Sequence, residues 1–302
     1  ATASGASDDL ARTDARLAEG ESPGLVRAAH HARLGEYLER KNAVQALLAY
    51  KNALSLDAES LSAARGTSRL AESIGDATLL REAAEGEVRV TRDLGRAAHL
   101  FERAAARLRE ENDIEGAAAT LERALLVEPD HARAAAALLE IRLGQKEFDR
   151  VVTVLSDAAT RAKNPSIRAD HWIAVARVHA NHRHDLAAGL TALLRVEKNE
   201  PHHAPTLLEL GELYIRDRQF EPAAVRLERA LAGSLEAKER TSVRLRLAEL
   251  YHEHLNRPAE ATTALEAVLA DEPLHRDAVR RLLKLQMASG SSAARETARA
   301  WV

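Results

Sequence analysis

Apolar residues recur at spacings of three, four and seven along two neighbouring segments, and this pair of segments repeats along the chain. One copy runs from Thr206 to Leu231 and the next from Val243 to Pro273. A short polar turn separates the two segments of each copy, as at Arg216–Gln219. Such spacing places the apolar side chains on one face of an α-helix. Each copy therefore predicts two amphipathic helices of about 14 residues joined by a turn.

The two copies align position by position, with one extra residue in the second turn. The matched positions are Leu210 with Leu247, Gly211 with Ala248, Tyr214 with Tyr251, Ala223 with Ala261, Leu227 with Leu265 and Leu231 with Leu269. Small residues fall where paired helices must approach closely, and bulky residues fill the space beside them. Partial copies elsewhere in the chain predict an array with a period of about 34 residues.

This pattern resembles the tetratricopeptide repeat. That family has a bulky residue, Leu-Gly and Tyr in its first helix, and Ala, a Leu or aromatic residue, Ala-Leu and Pro in its second. The resemblance covers roughly residues 24–57 and 98–290 and is strongest at 203–274. The aromatic positions are largely aliphatic here, and residues 58–97 keep helical periodicity but lose the motif. We interpret 58–97 as a degenerate repeat.

The resemblance implies an all-α, right-handed superhelical solenoid of antiparallel helix-turn-helix repeats, in which stacked repeats share one core. We expect residues 1–23 to be a partly helical flanking segment and residues 24–302 to be a single solenoid. The predicted repeats are 24–57, 58–97 (degenerate), 98–131, 132–167, 168–202, 203–236, 240–274 and 275–302 (incomplete). The chain starts at Ala1 and ends within an apparent helix at Arg299–Val302, so we expect it to be a fragment of a longer protein.

Composition agrees with a helical array, because 46% of residues are hydrophobic, 3% are aromatic, and Gly (14) and Pro (8) are scarce. The 43 basic and 46 acidic residues give a net charge of -3. This balance provides no sustained field for nucleic acid or an anionic bilayer, so neither is expected as a partner.

Cysteine is absent, which excludes disulfides, thiolate zinc sites and cysteine nucleophiles. No apolar run approaches the length of a membrane span. We expect a cytoplasmic protein, with the periplasm as the alternative if the chain is a processed fragment. Heavy use of Ala, and of Arg over Lys, is typical of GC-rich bacterial genomes.

The best candidate for a metal site is the run with His179, His182 and His184, although no carboxylate at helical spacing completes it. His179 also occupies the Tyr position of other copies, which favours packing. His252 and His254 are two residues apart and face different directions on a helix. Trp172 occupies the bulky core position. No catalytic or phosphate-binding motif occurs, so we expect no enzymatic activity, no cofactor and no metal.

In the tetratricopeptide family, the first helix of each repeat lines a concave groove that binds a peptide or a partner helix. Carried onto this sequence, the resemblance implies a set of groove positions with mixed charge and a few apolar members. These positions are His31, Glu102, Arg109, Glu140, Arg177, Ala180, Asn181, Leu208, Glu212, Ile215, Arg216, Leu245, Glu249, His252 and Glu253. The paired Lys and Asn with which some members clamp a chaperone carboxylate terminus are missing at the corresponding positions, so this partner is disfavoured.

The leading hypothesis for function is a protein–protein interaction scaffold or adaptor that binds a protein or peptide partner in its groove within a larger assembly. One alternative is a regulator whose superhelical pitch changes when a peptide or small molecule binds. Another is the substrate-recruiting arm of an enzyme whose catalytic domain lies outside this chain.

Overall fold

In a computed structural model of the chain, residues 3–20 and 23–288 are described. They form α-helices and one π-helix, with no strand among them, which confirms the all-α prediction. The helices are α1 (Ala3–Glu19), α2 (Gly24–Leu38), α3 (Ala43–Leu56), α4 (Leu61–Ile74), α5 (Ala77–Val90), α6 (Leu94–Glu110), α7 (Ile114–Val127), α8 (Ala132–Gly144), α9 (Phe148–Arg161), α10 (Pro165–His182), α11 (Leu186–Asn199), α12 (Ala204–Arg216), α13 (Phe220–Leu231), α14 (Ala237–Glu249), the π-helix (Leu250–His254), α15 (Pro258–Asp271) and α16 (Arg276–Ala288). The predicted chain end at Arg299–Val302 lies outside the described residues.

The chain divides into two compact units, Ala1–Arg168 and Ala169–Val302. In the first unit, each helix from α1 to α9 contacts the next along the chain, and α2 also contacts α4 while α6 contacts α8. In the second unit, the same sequential contacts run from α11 to α16. Contacts confined to near neighbours in the chain are the packing of a helical solenoid.

The eighth residue of each odd-numbered helix from α3 to α15 is a core position. In every one of these helices except α5 it is Leu or Tyr, and each such side chain is at most 2% exposed: Tyr50, Leu121, Leu155, Leu193, Leu227 and Leu265. In α5 the residue is Ala84, which is also fully buried. Within residues 58–97, this core position therefore carries a smaller side chain than in the other odd-numbered helices from α3 to α15.

One type of helix connection places a residue with positive φ directly before the N-cap of the next helix. The residues with positive φ are Gly75, Arg92, Asn112, Lys146, His184, Arg218 and Asn256. Several of the caps that follow are aspartates, and Asp113 and Asp185 accept hydrogen bonds from the backbone N–H groups of Gly116 and Ala188. A short carboxylate at the N-cap accepts a hydrogen bond from an N–H group that has no partner within the helix. These caps therefore stabilise the first turn of each helix.

A second type of connection has the sequence Glu-Pro-X-His and precedes α8, α12 and α16. His131 Nδ1 accepts a hydrogen bond of 3.2 Å from Ala134 N, and His275 Nδ1 accepts one of 3.2 Å from Ala278 N. His203 Nδ1 lies 2.8 Å from Thr206 Oγ1 at the same spacing. These histidines therefore lie directly before α8, α12 and α16, and two of them, His131 and His275, act as N-caps by accepting a backbone N–H group.

Candidate functional site

Most of the predicted groove residues lie on even-numbered helices and take part in contacts with another even-numbered helix. The contacts are Arg109 Nη2 to Glu140 Oε1 at 2.9 Å, Arg177 Nε to Glu209 Oε1 at 2.9 Å, Arg216 Nη1 to Asn181 Oδ1 at 2.7 Å, Arg216 Nη2 to the Ala180 carbonyl oxygen at 2.7 Å, and Arg246 Nη2 to Glu212 Oε2 at 3.3 Å. Exposed ion pairs of this kind contribute about 0–1 kcal/mol. A ligand that brings its own charges can therefore replace them at little cost.

In the second unit, predicted groove residues line a cavity of about 200 Å³ between α12 and α14. The lining residues are Leu208, Glu212, Leu227, Glu239, Ser242, Val243 and Arg246. Leu208 is half-buried and Leu227 is part of the core, whereas Glu212 is exposed. The cavity thus has an apolar base and a charged rim, which suits an apolar side chain flanked by polar groups.

A second cavity, of about 250 Å³, lies where α14, the π-helix, α15 and α16 meet. Its lining residues are Ala248, Glu249, His252, Glu253, Leu265, Arg281, Lys284 and Leu285. Glu249, His252 and Glu253 were expected to line the groove. Arg281 and Lys284 come from the following helix and add two positive charges to a site with two carboxylates.

Arg246 connects the two cavities. Its Nη2 atom lies 3.3 Å from Glu212 Oε2, and its Nη1 atom lies 3.3 Å from Glu249 Oε1. The second oxygen of Glu249 lies 3.6 Å from Arg281 Nη1. Alternating charges therefore run from α12 across α14 to α16, above the apolar base of each cavity.

The histidines near the second cavity lie in the π-helix. Leu255 N donates to the Leu250 carbonyl oxygen at 3.0 Å, a bond one residue longer than that of an α-helix. The His254 ring stacks on Phe220, with the centroids 3.9 Å apart and the planes 6° from parallel. His252 instead lines the cavity. The two histidines have different surroundings, as their spacing predicted.

Other predicted groove residues lie outside the lining of these two cavities. Ile215 and Leu245 are half-buried on α12 and α14. His31 is half-buried on α2, and burial, followed by the nearby charge of Arg27, lowers its pKa. The resemblance selected Glu212 and Glu249 but missed Arg246, although the spacing of three residues between Arg246 and Glu249 is a recognisable signal of an ion pair on a helix.

Glu102 belongs to a compact cluster with His99 and His131, in which one potential ligand atom from each lies within 4.8 Å of the others. His131 Nδ1 accepts the Ala134 N–H group, which places the ring proton on Nε2, the atom 3.4 Å from Glu102 Oε2. The Arg133 guanidinium lies 3.0 Å from the same carboxylate oxygen. A proton and a cation thus occupy the positions around Glu102, and the geometry favours an ion cluster over a metal site.

The histidine run that includes His179 and His182 lies at the end of α10, and among the described residues it does not form a metal-ligand cluster. Trp172 is 9% exposed and belongs to the core, which confirms the expectation for that residue. The Arg195 guanidinium lies 5.1 Å from the centre of the Trp172 ring. The indole therefore helps to pack α10 against α11.

Within residues 3–20 and 23–288, none of the helices combines the length and apolar character required to cross a bilayer.

Comparison with known proteins reveals a similarity in structure. No protein-family model matches the sequence, and no curated protein matches it. The C-terminal part of a tetratricopeptide-repeat protein from Cytophaga hutchinsonii matches 83% of this chain and 99% of that chain, with a TM-score of 0.50 and 13% identity.

Two further solved structures are similar over large parts of the chain. The Cut9–Hcn1 hetero-tetramer of the APC/C has a TM-score of 0.41 and 14% identity, and the match covers 97% of this chain and 56% of that chain. The chain thus spans about half the length of that relative. TTC0263, a thermophilic tetratricopeptide-repeat protein of Thermus thermophilus, has a TM-score of 0.36 and 22% identity, over 63% of this chain and 99% of that chain. The helical packing and the match to the Cytophaga structure confirm the resemblance seen in the sequence: this chain has the all-α helical-repeat fold of the tetratricopeptide-repeat proteins.

Proposed function

We propose that this chain is a protein–protein interaction scaffold, and that α12, α14, the π-helix and α16 bind a peptide segment of a partner protein. The observation that carries the proposal is the connection of two cavities through Arg246, which contacts Glu212 at one and Glu249 at the other. Residues selected as groove positions from the repeat pattern line both cavities.

The chemistry of the two cavities specifies the kind of peptide. Each cavity has apolar residues at its base, such as Leu227 in one and Leu265 in the other, and charged residues of both signs above them. Packed helices lie about 10 Å apart, so neighbouring cavities are spanned by roughly three extended residues. We therefore expect a peptide with two apolar side chains about three residues apart, separated by residues of both charges.

We expect a charged peptide to bind this surface by replacing the ion pairs between the surface's own residues. The peptide's basic groups would pair with Glu212 and Glu249, and its acidic groups with Arg246 and Lys284. Each exchanged pair contributes modestly, so the apolar side chains supply most of the affinity and the charges set the register. Binding through side chains on alternate helices also suits a subunit of a larger assembly.

Affinity capture from native lysate, with quantitative mass spectrometry, tests the proposal. The double variant Glu212→Lys, Glu249→Lys reverses the charge at both cavities. We expect recovery of the specific partner to fall by about tenfold or more, equivalent to about 1.4 kcal/mol. The variant chain must keep the helical content of the native chain, as measured by circular dichroism.

The matched control is the double variant Glu59→Lys, Glu266→Lys. Both glutamates are exposed and line neither of these cavities, so the control makes the same change in net charge elsewhere. Equal partner recovery by the cavity variant and the control would rule out this surface as the binding site.

A further inference from the structure

A larger cavity, of about 600 Å³, lies in the first unit, between odd-numbered helices rather than even-numbered ones. Helices α3, α5 and α7 form its walls, and Phe101 of α6 and Thr67 of α4 lie at its base. The lining residues are Lys51, Leu54, Thr67, Thr78, Arg81, Glu82, Glu85, Arg89, Phe101, Ala119, Thr120 and Arg123. Its volume is within the range of pockets that hold ligands in proteins.

An adjoining cavity of about 430 Å³ extends this space from α7 to α9. Ala119 and Arg123 line both cavities, and Leu126, which is 55% exposed, lines the second. We call the two cavities together the odd-helix trough. It crosses four helices and contains exposed apolar surface along its length.

The trough lies at the irregular repeat. Elsewhere, the connection with positive φ leads into odd-numbered helices, as at Asn112 before α7. Around α5, a connection with positive φ occurs on both sides, at Gly75 before α5 and at Arg92 before α6. Within the described chain, no other odd-numbered helix is followed by a connection of this type. Gly86 of α5 is buried, yet a Cβ atom added there would meet no atom within 4 Å. The packing around α5 is correspondingly open.

Charge in the larger cavity is not balanced. Lys51 Nζ lies 2.7 Å from Glu82 Oε2, and Arg123 donates to both oxygens of Glu85 at 2.8 Å. These two pairs use both carboxylates of the lining. Arg81 and Arg89 are exposed and, among the described residues, form no salt bridge.

The surroundings of Glu85 show that both arginines act on the same space. Its pKa is lowered first by the hydrogen bonds from Arg123 and then by the charges of Arg123, Arg89 and Arg81, against the effect of burial. Four basic side chains thus face two acidic ones. This larger cavity carries an excess of two positive charges above an apolar base, which is complementary to an acidic and partly apolar ligand. The second cavity adds Glu122, Asp157 and Arg161, so the positive charge of the trough is concentrated in the larger cavity.

We propose that the odd-helix trough is a second docking surface, for an extended acidic peptide segment of a partner protein. Apolar side chains of the segment enter the cavity above Phe101 and contact Leu126, and its carboxylates pair with Arg81 and Arg89. This inference is independent of the proposed function, because it concerns the other set of helices and the other compact unit.

The length of the trough supports a peptide as the occupant. Packed helices lie about 10 Å apart, so a path across α3, α5, α7 and α9 is about 30 Å long and holds roughly nine extended residues. A guanidinium can bind a carboxylate through two parallel hydrogen bonds. Arg81 and Arg89 therefore favour acidic residues in the bound segment.

Fluorescence anisotropy with the full chain tests the proposal. The probe is a fluorescein-labelled peptide of about nine residues in which Leu and Phe alternate with Glu and Asp, compared with the same peptide carrying Gln and Asn in place of the acids. We expect saturable binding of the acidic probe that is at least about tenfold tighter than that of the neutral one. Binding should weaken as salt is raised, because the arginines are exposed.

Variants test whether the probe binds in the trough. The double variant Arg81→Glu, Arg89→Glu should weaken binding by about tenfold or more, while Arg81→Lys, Arg89→Lys keeps most of it. Ala119→Trp fills the wall shared by the two cavities without changing charge and should also weaken binding. The matched control, Arg40→Glu with Arg65→Glu, reverses two exposed arginines of the same unit that line neither cavity.

The double variant Arg246→Gln, Lys284→Gln removes the basic groups of the other proposed surface and should bind this probe as the native chain does, which separates the two surfaces. The inference is overturned if the native chain does not bind the acidic probe, or if the trough variants and the control bind it equally. The melting temperature of each variant, measured by circular dichroism, should equal that of the native chain. A loss of binding is then a local effect of the substitution.

Discussion

The ring of Tyr50 packs directly on the backbone of Gly35, so closely that a Cβ atom placed on Gly35 would lie 2.7 Å from Tyr50 Cε1. Tyr50 is 1% exposed, and its hydroxyl donates to Glu39 Oε1 at 2.5 Å. Burial and that bond both raise its pKa above the usual range, so the phenol stays protonated. Fixed at both ends, the ring sets the distance between α2 and α3.

Gly35→Ala should therefore destabilise the first unit. The methyl group forces the Tyr50 ring or the helices to move, and overpacking of this kind costs about 1–3 kcal/mol. Gly86→Ala is the matched control, because it adds the same group to a buried helical glycine with open space around it, and should stabilise the chain by about 0.5–1 kcal/mol. Urea denaturation of the two variants checks the prediction, which fails if both shift the midpoint in the same direction.

Arg142 is a fully buried guanidinium whose partners are Glu115, Glu122, Glu147 and Gln145. Replacing it with Met leaves three carboxylates crowded together, with Arg150 as their remaining basic partner among the described residues. We expect Arg142→Met to lower the free energy of unfolding by about 3 kcal/mol, since the carboxylates keep part of their hydration. Arg142→Lys keeps the charge but loses the planar set of donors and should cost less. An Arg142→Met variant as stable as the native chain would contradict this account.

Stability should fall in acid through Glu115. Its hydrogen bonds from Arg142, followed by the charges of Arg142 and Arg150, lower its pKa from the usual 4.5 to about 2, against a smaller effect of burial. Because the folded-state pKa is depressed, the stabilisation is present above about pH 4.5 and is lost as the pH falls towards 2. The urea midpoint should drop over this range, and the drop should be smaller in Glu115→Gln. Identical pH profiles for the two chains would show that Glu115 is not responsible.

The proton of His131 should reside on Nε2, because Nδ1 accepts the Ala134 N–H group at the start of α8. Nitrogen NMR of selectively labelled histidine measures this tautomer directly. Burial lowers the pKa of His131, so the neutral ring should persist at neutral pH. His131→Asn preserves a capping oxygen and should be tolerated, whereas His131→Ala should cost about 1 kcal/mol. Protonation on Nδ1 would refute the capping role and reopen the question of a metal site at Glu102.

Some arginines of this chain bind the backbone at helix ends. Arginines reach to the carbonyl oxygens at the ends of other helices: Arg103 Nη2 donates to the Glu72 oxygen at 2.9 Å, and Arg161 Nη1 donates to the Leu126 oxygen at 2.8 Å. These carbonyls have no partner within their own helices. Several donors on one planar group allow such an arginine to cap a helix and bind a carboxylate at the same time. Arg161 does so with the Leu126 carbonyl oxygen and the Asp157 carboxylate.

The sequence determined the local structure and the packing of neighbouring helices. The spacing of apolar residues is sufficient to predict a helix, and small residues such as Gly211 mark close approaches, so the helical repeats followed from the pattern. The core position of Trp172 followed from the resemblance to the tetratricopeptide repeat. It also indicated that residues 58–97 are irregular. These features depend on residues a few positions apart, whose relative placement is fixed by helix geometry.

Only the tertiary structure decided which charged and polar groups meet. Arg246 joins Glu212 to Glu249, whereas Arg81 and Arg89 form no ion pair with any residue that the structure describes. Long side chains from helices one repeat apart have several partners within reach, and the sequence does not show which of them they contact. The hydrophobic pattern shows one extra residue in the second turn of the copy at Val243–Pro273, but only the tertiary structure shows that a π-helix forms there, at Leu250–His254. Periodicity specifies which face of a helix is buried, but the pairing of exposed charges depends on distances between helices that a one-dimensional pattern does not contain.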